Sequence, residues 1–154
     1  MSRGYWGIAI WGSKDPQNLG TIWRTAHVFG AAFVARVGPI RYKHGVTPGR
    51  NGPTDTMKTY RHVPYLQFEA VGDLLEAVPF AKLVAVELDE RAVPLGPFIH
   101  PERAIYLVGA EDGGIPADVL ALADQIVQLP GSRCLNQAVA ASIVAYDRTT
   151  KGSP

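Results

Sequence analysis

AIYLVGAEDGGIPADVLALADQIVQL, residues 104–129, decides how this chain folds. It opens with AIYLVG (104–109), a strand with no polar position until its closing glycine. A strand lacking the usual apolar–polar alternation is covered on both faces, the condition of a parallel sheet between helices. Gly113 and Gly114 mark a turn, and Pro116 stands at the first turn of a helix over 116–123, where its missing N–H costs little. QIVQL (125–129) returns as a second strand. Strand, helix and strand in succession form a parallel crossover unit.

The same grammar extends outward. YWGIAIW (5–11) is β-rich, and Asn18 reads as the N-cap of a helix running to about Phe29, where Gly30 stops it. AFVARV (32–37) is a second strand, and HVPYLQF (62–68) is an edge or irregular piece because of Pro64. EAVGDLLEAV (69–78) has helical spacing, KLVAVEL (82–88) is a buried strand, and a closing helix runs from Leu135 to about Thr149. The expectation is an α/β fold, a mostly parallel sheet with helices on both faces. Ligand sites in such sheets lie beyond the carboxyl ends of the strands, here the loops after 82–88, 104–109 and 125–129.

With 154 residues, 47% hydrophobic and 19% charged, the chain reads as one domain over 1–154, its last residues (150–154) a frayed tail. One cysteine, Cys134, excludes an internal disulfide and suits a reducing compartment. The apolar run 5–11 is too short for a signal segment or a membrane span, so a cytoplasmic protein is expected, with no membrane partner. The net charge of +1 conceals a basic segment: Arg36, Arg41, Lys43, Arg50, Lys58 and Arg61 face only Asp55 between 36 and 62. It is either a solvated loop or one that grips phosphates.

Two loops carry chemistry-bearing residues. LVGAEDGGIP (107–116) sets Glu111 and Asp112 among glycines that let backbone approach a ligand. It contains no lysine and no phosphate-loop or dinucleotide fingerprint. LPGSRCLNQAVAASIVAYD (129–147) runs through Asn136 into a helix with hardly a polar face, which therefore packs on more than one side. Asn136 is a helix cap or a working residue. His27, His44, His62 and His100 are scattered singly, without metal-ligand spacing. In QNLGTIWRTAHVFGAAFV (17–34), Arg24 sits among apolar neighbours, either as ordinary surface or as a functional group.

Taken together, NLGTIWRTA, GAEDGGIP and LPGSRCLNQAVA resemble, in order and distance, the three motifs of the TrmH/SpoU family of SPOUT methyltransferases. Asn18, Gly20, Arg24, Thr25 and Ala26 match the first motif. Gly109, Glu111, Gly114, Ile115 and Pro116 match the second; Pro130, Leu135, Asn136 and Ala140 match the third. The resemblance covers essentially the whole chain. It departs in two places: Cys134 replaces a serine, and the loop from Pro130 to Leu135 is short. S–H is a weak donor, so a serine's hydrogen bonding is largely absent there.

The resemblance implies an RNA methyltransferase that moves a methyl group from S-adenosyl-L-methionine to a ribose 2′-hydroxyl of tRNA or rRNA, leaving S-adenosyl-L-homocysteine. It implies a C-terminal trefoil knot, a homodimer that completes the active site, and no metal. The cofactor bed would comprise Val86, Glu87, Leu88, Gly109, Glu111, Leu129, Cys134 and Leu135. Arg24 would be catalytic, with Asn18, Glu111 and Asn136 holding the geometry. A guanidinium does not release its proton at ordinary pH, so Arg24 is expected to grip a phosphate, orient the hydroxyl and stabilise the developing alkoxide. Arg41, Lys43, Arg50 and Lys58 would contact RNA, with Tyr42 or Tyr60 stacking on a base. Trp6, Trp11 and Trp23 read as core rather than interface. The alternative is a non-catalytic RNA-binding protein of the same fold.

Overall fold

A computed structural model describes residues 4–12, 16–39 and 58–152. It contains strands β1 (Trp6–Trp11), β2 (Phe33–Val37), β3 (Tyr65–Phe68), β4 (Lys82–Val86), β5 (Val93–Pro94), β6 (Ala104–Val108) and β7 (Gln125–Gln128). The helices are α1 (Pro16–Phe29), α2 (Val71–Ala77), α3 (Ala117–Leu120) and α4 (Gln137–Lys151), with a 3-10 turn at Thr59–Arg61. The sheet order is β3-β2-β1-β6-β4-β7-β5, and every pairing between these strands is parallel.

Period-two alternation divides the buried residues between two cores. Ile8, Ile10, Val34, Val84, Tyr106 and Val108 pack under α1 and α4, which contribute Ile22, Trp23, Ala141 and Val144. Ala9, Ala35, Leu83, Ala85, Ile105 and Leu107 pack under α2 and α3 with Val71, Leu74, Val119 and Leu120. All of β6 is buried, as its unbroken apolar run requires. β3 and β5 form the sheet edges, where Pro64 and Pro94 cost no ladder bond. β7 does not add to an edge; it lies between β4 and β5.

Several expectations require correction. Helix α1 begins at Pro16, so Asn18 lies inside its first turn and does not cap it. The helix expected over 116–123 is confined to Ala117–Leu120. The chain must turn there because the Asp124 carboxylate accepts the Leu83 amide at 2.8 Å and directs β7 into the sheet. β5, two residues long and containing proline, gave no periodic signal. Arg36 is no part of a solvated loop: it is in β2 and 4% exposed. Trp6 and Trp23 are core.

The last turn of α4 is fastened to the segment before β6 by a buried polar network. Arg148 donates to the carbonyls of Pro101 (2.7 Å) and Glu102 (2.9 Å) and to Tyr106 Oη (2.9 Å). His100 Nδ1 lies 2.6 Å from Tyr106 Oη, and Nε2 lies 2.8 Å from Asp147 Oδ2. The Asp147 carboxylate can only accept, so Nε2 carries the imidazole proton and donates it to Asp147; in the neutral ring Nδ1 then accepts from Tyr106 Oη. Lys151 pairs with Asp147 at 2.7 Å and donates to the carbonyls of Leu95 and Gly96. Burial holds His100 below its ordinary pKa, partly offset by its bond to Asp147, and pushes the Tyr106 phenol up to about 12.

Candidate active site

The loops leaving β4, β6 and β7 meet at the carboxyl end of the sheet, where parallel α/β sheets place their ligands. They border a cleft that is open to solvent. Val86, Glu87, Leu88, Gly109, Glu111, Leu129, Cys134 and Leu135 all line it. The residues that the resemblance implies for the cofactor bed thus lie on one contiguous surface built from three separate loops. Arg133 and Gln137 also line the cleft and were missed.

The second loop is held shut by its own chemistry. Gly114 adopts φ +60, the left-handed region that favours glycine, and a Cβ there would fall 2.7 Å from Glu87 Oε2 and push that carboxylate aside. Glu87 Oε2 accepts from the Ile115 amide at 3.0 Å, and its Oε1 accepts from the Leu88 amide at 3.0 Å. This side chain thus joins the first loop to the second. At Gly109 a Cβ would meet Gly114 C at 2.8 Å and Ile115 N at 2.9 Å, so backbone there approaches backbone at a distance no side chain tolerates. At the rim, the Arg91 guanidinium and amide beside Asp89 hold its carboxyl down to about 2.

Three of the four residues expected to be catalytic form a triangle. Glu111 Oε1 accepts from Asn18 Nδ2 at 3.0 Å and from Asn136 Nδ2 at 2.7 Å, and Asn136 Nδ2 also donates to Asn18 Oδ1 at 3.1 Å. Asn136 is the N-cap of α4 as well: its Oδ1 accepts from the amides of Ala138 and Val139. One side chain therefore caps the helix and ties its start to Asn18 and Glu111. Gln137, 2% exposed, sends Nε2 to the carbonyls of Gly109 (3.0 Å), Val108 (3.2 Å) and Trp11 (3.4 Å). It docks the helix start onto the ends of β6 and β1. The signal for Gln137 was its place on the buried stripe with Ala141 and Val144, a polar residue that needs partners there.

Arg24 does not join the triangle. Six residues after Asn18, it lies about 120° round the helix, on the exposed side of α1 with Val28. Lys58 is exposed, in a left-handed conformation with φ 52. Arg41, Lys43 and Arg50 lie outside the described residues. The histidines are not all solitary: His27 and His62 stack with ring centroids 4.6 Å apart. Among the described residues no group of three or more His, Cys, Asp or Glu is arranged to hold a metal ion.

Against this geometry, residues 7–146 match the SpoU rRNA Methylase family, and the chain belongs to that family. It is 29% identical over 137 residues to a 23S rRNA (guanosine-2′-O-)-methyltransferase of Acinetobacter baylyi, covering 86% of this chain and 54% of that protein. It is also 29% identical over 143 residues to a tRNA (cytidine(34)-2′-O)-methyltransferase of Beijerinckia indica, covering 89% of this chain and 86% of that one. The chain thus spans about half of the first relative and most of the second. Its fold is similar to that of the AdoMet-bound rRNA methyltransferase from Sinorhizobium meliloti, with a TM-score of 0.80 at 24% identity over 95% of this chain and 56% of that one.

Proposed function

We propose that this chain is an S-adenosyl-L-methionine-dependent RNA methyltransferase acting on a ribose 2′-hydroxyl of tRNA or rRNA in the cytoplasm. The observation that carries the reading is the cleft formed by the loops leaving β4, β6 and β7, with the Asn18–Glu111–Asn136 triangle at its edge. Both curated relatives described above are named as 2′-O-methyltransferases of RNA. Among the described residues no helix is long and apolar enough to cross a membrane.

The cleft suits a nucleoside cofactor. Val86, Leu88, Leu129 and Leu135 offer apolar walls for a purine, and the bare backbone at Gly109 allows close approach. The cofactor supplies an electrophilic methyl group on a sulfonium. The protein's task is to orient and activate the ribose hydroxyl. Arg24 holds the neighbouring phosphate and stabilises negative charge developing on the 2′-oxygen. The triangle keeps Asn136, and through it the third loop, in register with the second.

Arg24 serves the cleft of a second copy. The groove between α1 and α4 is lined by Thr21, Phe29, Val139, Ile143 and Tyr146, and Val28, Val139 and Tyr146 are exposed. A homodimer closed through this groove covers that apolar surface and brings Arg24 across the interface. The order β4-β7-β5, with the last strand inside the sheet, supports a C-terminal trefoil knot.

The test is methyl transfer from labelled cofactor to bulk tRNA and rRNA, followed by digestion to nucleosides. Label in a 2′-O-methylnucleoside is expected. Label on a base, or RNA binding without transfer, contradicts the reading, the second outcome favouring the non-catalytic alternative.

A further inference from the structure

The outer face of α1 continues into a second element that the cleft does not use. The 3-10 turn Thr59–Arg61 is fixed against α1: Trp23 Nε1 donates to the Val63 carbonyl at 2.8 Å, and the Tyr60 ring meets Trp23 edge-on at 6.4 Å. His62 stacks on His27 of α1 with an interplanar angle of 6°. The turn therefore presents its side chains from a rigid base. Lys58, Tyr60, Arg61 and His62 are exposed, and Arg61 lies over the Tyr60 ring at 5.8 Å. Lys58 holds a left-handed backbone, a conformation that costs a lysine about 1 kcal/mol. His27 and Arg24 are neighbours one turn apart on α1. Neither α1 nor residues 58–68 contain a single Asp or Glu.

We infer that this surface is a lane for an RNA backbone, entering at Lys58 and Arg61, passing the His27–His62 stack and ending at Arg24. The inference rests on the methyltransferase reading and adds Arg61, His62 and His27 to the residues expected to meet RNA. The occupant follows from charge and shape. Cations without an intervening carboxylate attract a polyanion, and an aromatic ring beside them offers a stacking face for an unpaired base. Arg61 is doubly suited: its guanidinium lies over the Tyr60 ring and offers its N–H groups to a phosphate.

The experiment measures binding of fluorescent unfractionated tRNA by anisotropy across a salt series, for the wild type, Arg61→Gln and Lys58→Asn/Arg61→Gln. Arg103→Gln, at the amino end of the sheet, is the control. Loss of one phosphate contact lowers the slope of log affinity against log salt by about 0.7–0.9, and loss of two by about twice that. The lane predicts these decreases with cofactor affinity and thermal midpoint unchanged, and no change of slope in the control. Wild-type slopes in both lane variants overturn the lane while leaving the methyltransferase reading intact. A loss of cofactor affinity or melting temperature in Arg61→Gln makes the residue structural and also overturns the lane. Failure of the wild type to bind either tRNA or rRNA in the same assay while it still binds cofactor overturns the lane and the RNA substrate together.

Discussion

The two ends of α4 carry polar clusters of opposite design. At its start, Asn136 and Gln137 bind Asn18, Glu111 and the ends of two strands, and the cluster borders an open cleft. At its end, Asp147, Arg148 and Lys151 bind His100, Tyr106 and a series of carbonyls, with the His100 side chain sealed from solvent. One cluster leaves room for a ligand; the other is satisfied by the protein itself. Polar groups alone therefore do not mark a site. The difference lies in whether geometry leaves room beside them.

The largest expected effect breaks the open end. Arg24→Ala should lower methyl transfer about 10²–10³-fold, the loss typical of a positioned donor to developing negative charge. Since Arg24 faces away from its own triangle, mixing Arg24→Ala with Gly109→Arg subunits should restore activity through hybrid dimers. Each inactive parent supplies the half the other lacks. No recovery after mixing and reannealing would place Arg24 on its own protomer's cleft.

Breaking the closed end should cost stability instead of chemistry. Arg148→Met removes the hydrogen bonds that the guanidinium gives Tyr106 and two carbonyls, and urea unfolding should show a loss of about 3–4 kcal/mol. Cofactor affinity measured well below the unfolding transition should stay near wild type. Asn136→Ala sharpens the contrast with a smaller stability effect, about 1 kcal/mol for the lost cap, together with a weaker hold on the third loop. Circular dichroism melts and cofactor titration read the two parts separately.

The smallest effect is one of pH. His100 is held below its ordinary value of 6.5, chiefly by burial, so the folded protein binds fewer protons there than the unfolded chain. Its contribution should be present above that value and decline as pH falls below it. Tyr106 works in the other direction: raised from 10.0 to about 12, it contributes below pH 10 and loses that contribution as pH rises toward 12. Denaturant midpoints at pH 7.5 and 5.5 for wild type and His100→Gln isolate the first of these. An identical fall in both proteins would assign acid sensitivity to other groups.

Much of the open end was legible because its parts are written as short local patterns. Gly109, Glu111 and Gly114 follow a buried strand, and Asn136 opens an apolar helix after another, so parallel chain direction alone brings them to the carboxyl end of the sheet. The closed end was not legible. His100 and Asp147 are 47 residues apart and belong to no motif, and their meeting depends on the crossing of α4 over β6. The misreading of Asn18 as a cap has a simpler origin. Pro16 starts the helix earlier, and an asparagine in a first turn resembles a cap until its side chain is seen to bond across the fold. Arg36 was grouped with loop cations because charge counts ignore that β2 extends one residue past it.

The most direct test of the central claim is calorimetric titration of the protein with S-adenosyl-L-methionine and S-adenosyl-L-homocysteine, repeated on Gly109→Arg. A side chain at Gly109 must strike the Gly114–Ile115 backbone and displace that loop, so the variant should lose affinity at least about 100-fold, with a circular dichroism melt separating this loss from global unfolding. Binding to the wild type that is lost in the variant places the cofactor in the three-loop cleft. No binding by the wild type, or equal binding by the variant, would contradict that placement and the catalytic account built on it.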